Sequence, residues 1–474
     1  MITELLVKID DIVWGLPLIT LIMACGLWLT IRTGLLQVFH MGKALRFTVK
    51  NEDGGQGEVT SFGALCTALS ATIGTGNIVG VASAIAAGGP GALFWMEVAA
   101  FLGMATKYAE GLLAVKYRQI DANGHVLGGP FYYIEKGMGP QWKWLAKCFA
   151  LFGAGAGLLG IGTITQVNGI TSAAQGFFDP NQTGVLFTLG SGDGQTAITL
   201  TTVLVGFLVT FFVALVVIGG IQRIAKVSEI IVPFMAALYV LCGLIILVCN
   251  VEAIPNAFYQ IVVGAFNPQS VAGGIVGVSI RVAMQKGVAR GIFSNEAGLG
   301  SAPIAAAAAQ SKEPVRQGLV TMTGTFIDTT IICTMTGLSI VITGAWDPAL
   351  GLEGAGITMY AFQNALPFPA EVGSFLLMLS LMFFAFTTIL GWDYYAERCL
   401  EYLTNGNMKM VKVYRWLYIA AVFVGPYLTV QAVWTIADIF NGLMALPNII
   451  ALLALSGVVA KETKSYFDRK AYLN

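Results

Sequence analysis

The sequence predicts an all-α integral membrane protein with eleven transmembrane helices, and three observations support this fold class. The 474 residues are 56% hydrophobic and only 11% charged, whereas soluble domains carry about 25% charged residues. The mean hydropathy is +0.76, and apolar segments recur that reach the roughly 20 residues needed to cross a bilayer core of about 30 Å. These segments also lack the alternating hydrophobicity of membrane β-strands.

The predicted spans are separated by short or polar connections. They cover residues 12–31, 61–87, 91–115, 144–175, 197–220, 227–250, 275–309 with a break, 318–343, 371–396, 413–431 and 433–460. A signal peptide is not expected at the first span, because acidic residues, Glu4 and Asp10 among them, outnumber Lys8 before it. A signal sequence begins with basic residues instead. We therefore expect the N-terminus to lie outside.

The distribution of basic residues supports this count. Lys and Arg collect in cytoplasmic loops, and with the N-terminus outside, 21 of the 26 basic residues fall on the inner side. These 21 lie within residues 32–50, 116–147, 223–226, 312–316, 398–415 and 461–470. The predicted outer loops 176–196 and 344–370 contain none. We thus predict a multi-pass protein of the plasma (inner) membrane with a cytoplasmic C-terminus.

Composition argues against several classes of function. Lys plus Arg and Asp plus Glu number 26 each, so the net charge is zero and no basic surface is available for nucleic acid. Only two histidines, His40 and His125, are present, too few for a His-ligated metal site or a histidine-based catalytic relay. The seven cysteines form no C-x-x-C pair and are expected to be buried apolar residues.

Three smaller features complete the organisation of the chain. Residues Phe131–Met138 are expected to form a short interfacial helix or a plain connector, with Tyr132 and Tyr133 at headgroup depth. The stretch Lys461–Lys470 mixes both signs of charge and is expected to be a solvated tail. Lys107 and Glu110 are three residues apart in the third span and are expected to pair.

Two glycine-interrupted segments stand at corresponding positions in the two halves of the chain. Ala71–Gly80 (ATIGTGNIVG) lies in the second span and Phe293–Ser301 (FSNEAGLGS) in the seventh. Glycine lowers helix stability by about 1 kcal/mol relative to alanine, and non-helical backbone at membrane depth is tolerated only where it meets protein or lines a cavity. Paired breaks of this kind indicate the binding site of a transporter.

Two other interpretations of the first break were weighed against this one. Gly74-x-Gly76 resembles part of a dinucleotide fingerprint, but no βαβ unit surrounds it. Gly76-x-x-x-Gly80 is also a spacing that lets membrane helices pack closely. The second break favours a binding site because residues 294–296 are polar. Freed carbonyls at such a break can coordinate a cation, while half-helix N-termini face an anion.

These motifs resemble those of the alanine or glycine:cation symporter family, the sodium:alanine symporters of bacteria and archaea. The resemblance extends over nearly the full length and is carried by Ala71–Gly80, Gly103–Glu110, Arg290–Ala309 and Phe386–Trp392. It implies an extra N-terminal helix followed by a five-plus-five inverted repeat, the LeuT-like fold of the neurotransmitter:sodium symporters. The parts would be an extra helix and cytoplasmic loop (1–55), a first repeat (56–250), a second repeat (251–460) and a cytoplasmic tail (461–474).

The resemblance also implies where a small neutral amino acid would bind. The implied substrate-binding residues are Thr75, Gly76, Asn77, Gln166, Phe293, Asn295, Thr388 and Trp392. Amides of the first break would hold the carboxylate, Asn295 would lie beside the ammonium group, and Phe293 and Trp392 would close over the side chain. The alternatives are a helix-to-helix hydrogen bond for Gln166 and an interface anchor for Trp392.

The coupling ion implied by the resemblance is Na⁺, and no organic cofactor is expected. The implied sodium ligands are oxygens of Ser70, Ile73, Phe384, Thr387 and Thr388, and hard oxygen ligands suit this ion.

Ionisable residues within the spans are further candidates, because a charge at the bilayer centre costs about 2.5 to 3.5 kcal/mol on insertion scales. Asp328, about ten residues into the eighth span, is a candidate second cation ligand or proton-sensitive switch, and Ser294 of the second break is a further candidate cation or gate residue. The alternative for Asp328 is a structural partner for Arg290 or for a backbone amide. Glu296 and Arg290 flank the second break and are a candidate gate pair.

The sequence therefore predicts a secondary transporter, not an enzyme, that couples uptake of alanine or glycine to Na⁺. Proton coupling through Asp328 or Glu296 is an alternative, as is another neutral substrate such as serine or glutamine. An ion channel and an intramembrane enzyme are weaker interpretations. A channel leaves the aromatic pair Phe293 and Trp392 unexplained, and no nucleophile and base stand at a spacing plausible for an enzyme. The sequence does not determine the exact substrate, its L or D form, the stoichiometry or the oligomeric state, because one methyl group discriminates by only about 1 to 3 kcal/mol.

Overall fold

The computed structural model describes residues 2–50, 54–189, 196–267, 279–428 and 431–471, and its regular structure is almost entirely helical. The α-helices are Ile2–Val13, Leu16–Arg32, Leu36–Phe39, Met41–Val49, Ser61–Thr72, Val79–Gly88, Gly91–Tyr117, Pro130–Tyr132, Lys143–Leu159, Ile164–Phe178, Leu200–Val217, Gly220–Cys249, Ile254–Phe266, Ile280–Asn295, Ala302–Ala307, Pro314–Thr325, Thr334–Thr343, Ala355–Ala365, Ala370–Leu403, Met408–Val424, Gln431–Ala454 and Ser456–Ala471. Wider π-helical turns cover Tyr133–Met138 and Phe326–Cys333. Two antiparallel hairpins pair Gln119–Ile120 with Val126–Leu127 and Val185–Leu189 with Thr196–Thr199.

The helices confirm the predicted all-α membrane class. Within the described residues, eight helical segments are long and apolar enough to cross a bilayer, or nine if the bent pair Ser61–Thr72 and Thr75–Gly88 is one span. The seventh and tenth predicted spans fall on Ile280–Asn295 and Met408–Val424, whose 16 and 17 residues are short for a crossing helix. The count of eleven therefore stays a prediction. Residues 275–278 and 429–430 of the predicted spans lie outside the described residues.

Both predicted breaks are confirmed. The first broken span, Ser61–Thr72 followed by Thr75–Gly88, bends by 63°, with Thr75–Asn77 forming a single tight turn. The second broken span, Ile280–Asn295 and Ala302–Ala307, is interrupted at Glu296, which has a φ of 55°. Gly298 and Gly300 follow with φ of 91° and 82°, a region that glycine adopts without steric cost. Glycine at these positions thus permits the break.

The long helix Ala370–Leu403 passes directly beside the first break. A Cβ atom at Gly391 would lie 2.7 Å from the backbone nitrogen of Ala71 and 2.8 Å from Ser70 Oγ. Only glycine at this position lets the two backbones approach so closely. The approach brings the long helix against the non-helical backbone of the first break.

Two peripheral predictions differ from the structure. Tyr133 is fully buried, because its hydroxyl donates a hydrogen bond to Asn448 in the helix Gln431–Ala454. The C-terminal stretch is a helix, Ser456–Ala471, and one face of it docks on the protein. Thr463 Oγ1 lies 2.7 Å from the Tyr108 hydroxyl, whereas Lys461, Lys464 and Arg469 are exposed, so the stretch is solvated on its charged face only.

Candidate functional site

Three elements converge at the first break. Gly74 has an extended backbone and donates its amide to Asn77 Oδ1 over 2.8 Å. A Cβ atom at Gly74 would lie 2.6 Å from Thr388 Oγ1 on the long helix and 3.5 Å from Gln166 Oε1 on the helix Ile164–Phe178. The backbone here is therefore open to polar side chains from two neighbouring helices.

Oxygen atoms gather on the side of this break that faces the long helix. Thr388 Oγ1 lies 3.2 Å from the Ile73 carbonyl and 2.9 Å from the Phe384 carbonyl, and Thr387 Oγ1 lies 3.1 Å from the latter. Ser70, one turn earlier, donates to the Thr67 carbonyl. All five predicted sodium ligands are buried. The structure thus brings four of them together in a donor set of hard oxygens.

Gln166 carries an unused acceptor at the same place. Its side chain is buried, and Oε1 has no hydrogen-bond partner among the described residues. A buried amide oxygen without a partner costs about 1 to 3 kcal/mol. A donor supplied by a ligand would remove that cost.

A cavity of about 750 Å³ leads to the break. Thr75 and Thr165 line its inner end, and Gly176 and Ala355 line the end near the predicted outer loops. Most of the remaining lining is small or apolar, including Leu381. The volume is that of a typical small-molecule pocket.

Asp328 joins the two breaks through a buried hydrogen-bond cluster. Its carboxylate accepts from Asn77 Nδ2 at 2.7 Å, from Ser294 Oγ at 2.9 Å and from Thr329 Oγ1 at 2.8 Å. Asn77 belongs to the first break and Ser294 to the second. Among the described residues, the partners of the Asp328 carboxylate are thus side chains of both breaks and the adjacent Thr329, and not Arg290 or a backbone amide.

The second break holds its own shape with side chains. Asn295 Oδ1 accepts from the Ala297 amide at 2.9 Å, and its Nδ2 donates to Thr329 Oγ1 at 3.1 Å. Glu296 accepts from Trp392 Nε1 at 3.1 Å and from Ser301 Oγ. These bonds replace those that the interrupted helix cannot make.

Other predicted site residues are placed apart from the cavity. Trp392 is fully buried beneath the second break. Phe293 lies near Gly76, within 3.6 Å of a Cβ built there, and the Arg290 guanidinium lies over its ring at 5.6 Å. Arg290 and Glu296 form no ion pair in the described part of the chain, so the structure does not bring the candidate gate pair together.

A second buried network was not predicted from the sequence. Glu110 Oε1 accepts from the Gly298 amide at 3.1 Å and from Asn448 Nδ2 at 2.7 Å. Lys107 Nζ is buried and has no hydrogen-bond partner among the described residues, so the expected pairing with Glu110 is absent there. The sequence contains no signal that Gly298 bonds to Glu110, because the donor is a backbone amide and every residue except proline has one.

Arg118 links several segments near the predicted inner loops. Its guanidinium donates to the carbonyls of Ala307 at 2.7 Å, Ser311 at 2.9 Å and Gln56 at 2.7 Å. Beside it, the amide of Gln310 donates to the Val59 carbonyl at 2.7 Å. One guanidinium thus fastens the end of the second broken span to the segment that precedes the first.

His125 makes a further connection at this end. Its Nδ1 lies 2.8 Å from Glu58 and its Nε2 2.8 Å from Glu401, and Arg398 lies 2.6 Å from the ring and pairs with Glu401. Hydrogen bonds to Glu401 and Glu58 raise the pKa of His125 to about 9, against the opposing effects of burial and of Arg398. The imidazole is therefore charged at neutral pH and joins two carboxylates from different parts of the chain.

Comparison with known proteins finds relatives that match nearly the whole chain. The model of the sodium:alanine symporter family matches residues 1–473. A transporter of Haemophilus influenzae without assigned substrate is 53% identical, over 99% of this chain and 97% of that protein. A sodium/alanine symporter of Methanococcus maripaludis is 44% identical, over 97% and 96%. A candidate sodium/glutamine symporter of Bacillus subtilis is 35% identical, over 97% and 90%.

Proposed function

Since the chain belongs to the sodium:alanine symporter family, whose members are transporters and not enzymes, we propose that it couples the uptake of alanine or glycine to Na⁺. The observation that carries the proposal is the first break, where carbonyl and hydroxyl oxygens face Gly74 beside the unpaired Gln166 Oε1. We assign the plasma membrane as its location, with the cavity open to the outside.

The oxygens at Ile73, Phe384 and Thr388 support a sodium site. They come from the break and from the long helix, so an ion bound among them would hold the non-helical backbone of the break against that helix. Ser70 and Thr387 would complete the ligand set with small rotations of their hydroxyls. Na⁺ is bound here as cargo and leaves with the substrate.

The substrate site is proposed at the inner end of the cavity. The amides of Thr75 and Gly76 begin the outer half-helix of the first broken span, where the helix dipole favours a carboxylate. The ammonium group would donate to Gln166 Oε1. Asn77 and Asn295 would act indirectly, since their amides already hold the two breaks.

Coupling follows from the shared break. If Na⁺ orders the backbone from Ile73 to Asn77, the amino acid meets amides that are already in place, and by linkage each ligand raises the affinity for the other by the same factor. A coupling of about 1 to 3 kcal/mol corresponds to roughly 5- to 150-fold in affinity. Loaded protein would then open at the predicted inner end, where Arg118 links the segments, by relative motion of the two repeats.

The test is uptake of labelled L-alanine into proteoliposomes. Three conditions are compared: an inward Na⁺ gradient, K⁺ in place of Na⁺, and a proton gradient alone. Saturable accumulation with Na⁺ alone supports the proposal. Accumulation with the proton gradient alone moves the coupling role to Asp328 or Glu296, and competition by serine or glutamine at low concentration changes the substrate. No uptake of any small neutral amino acid contradicts the substrate assignment.

A further inference from the structure

A second cavity, of about 310 Å³, lies beside the broken spans and is lined by charges of both signs. Asp10 and Asp11 come from the N-terminal helix Ile2–Val13, Lys286 and Arg290 from the second broken span, and Asp438 from the helix Gln431–Ala454. Four separate parts of the chain meet here, because Ser83 of the first broken span also lines the cavity. None of the functional steps described above uses it.

The charges in this cavity are not paired with one another. Among the described residues, no ion pair within 4.0 Å joins Arg290 or Lys286 to Asp10, Asp11 or Asp438. Asp10 Oδ1 is buried and has no hydrogen-bond partner there. Half-buried carboxylate oxygens that lack a hydrogen-bond partner, as Asp10 Oδ1 does, are costly to maintain. Their cost falls if a ligand supplies the missing donor.

Aromatic side chains separate this cavity from the first break. Phe293 lies between the two, since it lines the cavity and also lies against Gly76. Trp14 packs edge-on against Phe293 at 6.4 Å and donates its Nε1 to the Asp438 carbonyl at 3.0 Å. Trp14 thus fixes the backbone that carries Asp438, and the rings give the cavity an apolar wall.

We infer that this cavity is a second, peripheral binding site for an amino-acid zwitterion. The ligand's ammonium group would lie between Asp10 and Asp438, and its carboxylate would face Arg290 and Lys286. A small side chain would lie on the ring of Phe293. That the zwitterion is a transported amino acid rests on the proposed function.

The mixture of charges favours a zwitterion over a simple cation. A metal ion would need several ligands at short range, and the described residues hold no cluster of three or more acidic, histidine or cysteine side chains suited to one. A bare cation would also be repelled by Arg290, whose positive charge acts on both Asp10 and Asp438. A zwitterion uses both signs.

The test is the number of alanine molecules bound per chain. Equilibrium binding of labelled L-alanine to the purified full-length protein in saturating Na⁺ should give two sites. Arg290→Gln and, separately, Asp438→Asn should weaken one site by at least about tenfold, since each removes a charge-assisted contact. Arg281→Gln, an exposed arginine on the same helix that does not line the cavity, should retain both.

Two further measurements separate the outcomes. Asn77→Ala should remove alanine binding at the proposed substrate site beside the first break and leave the peripheral site. Neither ethylammonium alone nor propionate alone should occupy the peripheral site. The peripheral site would be overturned if the unmodified protein bound one alanine, if Asn77→Ala abolished that binding, and if Arg290→Gln and Asp438→Asn left it unchanged. The proposed function would then remain intact. Competition by ethylammonium alone would overturn the zwitterion assignment. No alanine binding by any form would contradict the proposed function itself.

Discussion

Asn77 Nδ2 and Asp328 Oδ1 lie 2.7 Å apart in a fully buried contact between residues 251 positions apart in the chain. Asn77 uses its other atom, Oδ1, to accept from the Gly74 amide, and Asp328 also accepts from Ser294 of the second break. One carboxylate therefore accepts hydrogen bonds from side chains of both breaks. If the first broken span moves relative to Asp328, the hydrogen bond between Asn77 and Asp328 must lengthen, unless Asp328 moves together with that span.

Exchanging these two side chains should restore what each single change destroys. Asp328→Asn places an amide donor among three donors, and Asn77→Asp places a second carboxylate against Asp328. Because hydrogen bonds to charged groups contribute about 1.5 to 3 kcal/mol, each single variant should lower alanine uptake by roughly 10- to 100-fold. The double variant restores a donor opposite a carboxylate and should recover a substantial part of the uptake in proteoliposomes.

The matched control for this exchange is Asp347→Asn, which makes the same chemical change at an exposed loop position. It should leave uptake unchanged. If the double variant lost as much alanine uptake as each single variant, at equal amounts of folded protein, the contact between these two side chains would not be the cause of the loss.

Thr388→Ala tests the proposed sodium site. The change removes the hydroxyl that lies near the Ile73 and Phe384 carbonyls and keeps the helix. The Na⁺ concentration for half-maximal uptake should rise by about tenfold, the equivalent of about 1.4 kcal/mol, and Thr388→Ser should restore it. Thr404→Ala is the control, because this threonine lies at the end of the same helix and, within the described part of the chain, its hydroxyl bonds to carbonyls of that helix. An unchanged Na⁺ dependence in Thr388→Ala would exclude this threonine as a ligand.

Gly74→Ala tests whether the open backbone at the break is required. The added Cβ would lie 2.6 Å from Thr388 Oγ1, so either the threonine or the break must shift. Overpacking of this kind costs about 1 to 3 kcal/mol, and uptake should fall by at least about tenfold. Gly42→Ala adds the same methyl group where nothing lies within 4 Å and should be neutral. Full uptake by Gly74→Ala at unchanged Na⁺ dependence would contradict the proposed geometry.

The two breaks were predictable because their cause is local. Glycines and polar residues within an apolar stretch are visible in the sequence, and Glu296, Gly298 and Gly300 adopt the left-handed backbone that ends the helix there. Thr388 and Gln166 were placed near the first break only by family resemblance. Their spacing along the chain contains no information about the contact.

Contacts to backbone carbonyls could not be predicted in the same way. Arg118 was counted from the sequence only as one basic residue among those of a predicted inner loop, although it bridges two distant segments. Every residue offers a carbonyl, so no residue type marks its partners. The partner of Trp392 is a side chain instead. Its expected contact with substrate rested on the family resemblance, whereas in the structure its indole nitrogen donates to Glu296.

The hydrogen bonds of His125 to Glu58 and Glu401 predict that the free energy of unfolding decreases both at alkaline and at acidic pH. The pKa of His125 is raised to about 9 by its hydrogen bonds to Glu401 and Glu58, above its ordinary value near 6.5, so this contribution is complete below about pH 6.5 and is lost as the pH rises through 9. Burial raises the pKa of Glu58, but hydrogen bonds from His125 and the Val126 amide outweigh it and hold the pKa below its ordinary value. The Glu58 contribution is therefore lost as the pH falls through that lowered value.

Thermal unfolding of the purified protein between pH 4 and pH 10 would measure both effects. The unfolding midpoint should be highest near neutral pH and fall by a few degrees towards pH 10, since partly exposed ion pairs contribute little. In His125→Gln the amide has no charge to lose, so the fall above pH 8 should largely disappear, while the midpoint at pH 7 drops. His40→Gln is the control, because His40 stacks on Phe467 and has a pKa lowered by burial and by Lys43. It is therefore neutral throughout the alkaline range, and its replacement should leave the fall towards pH 10 in place. An identical alkaline fall in His125→Gln would assign it to other groups.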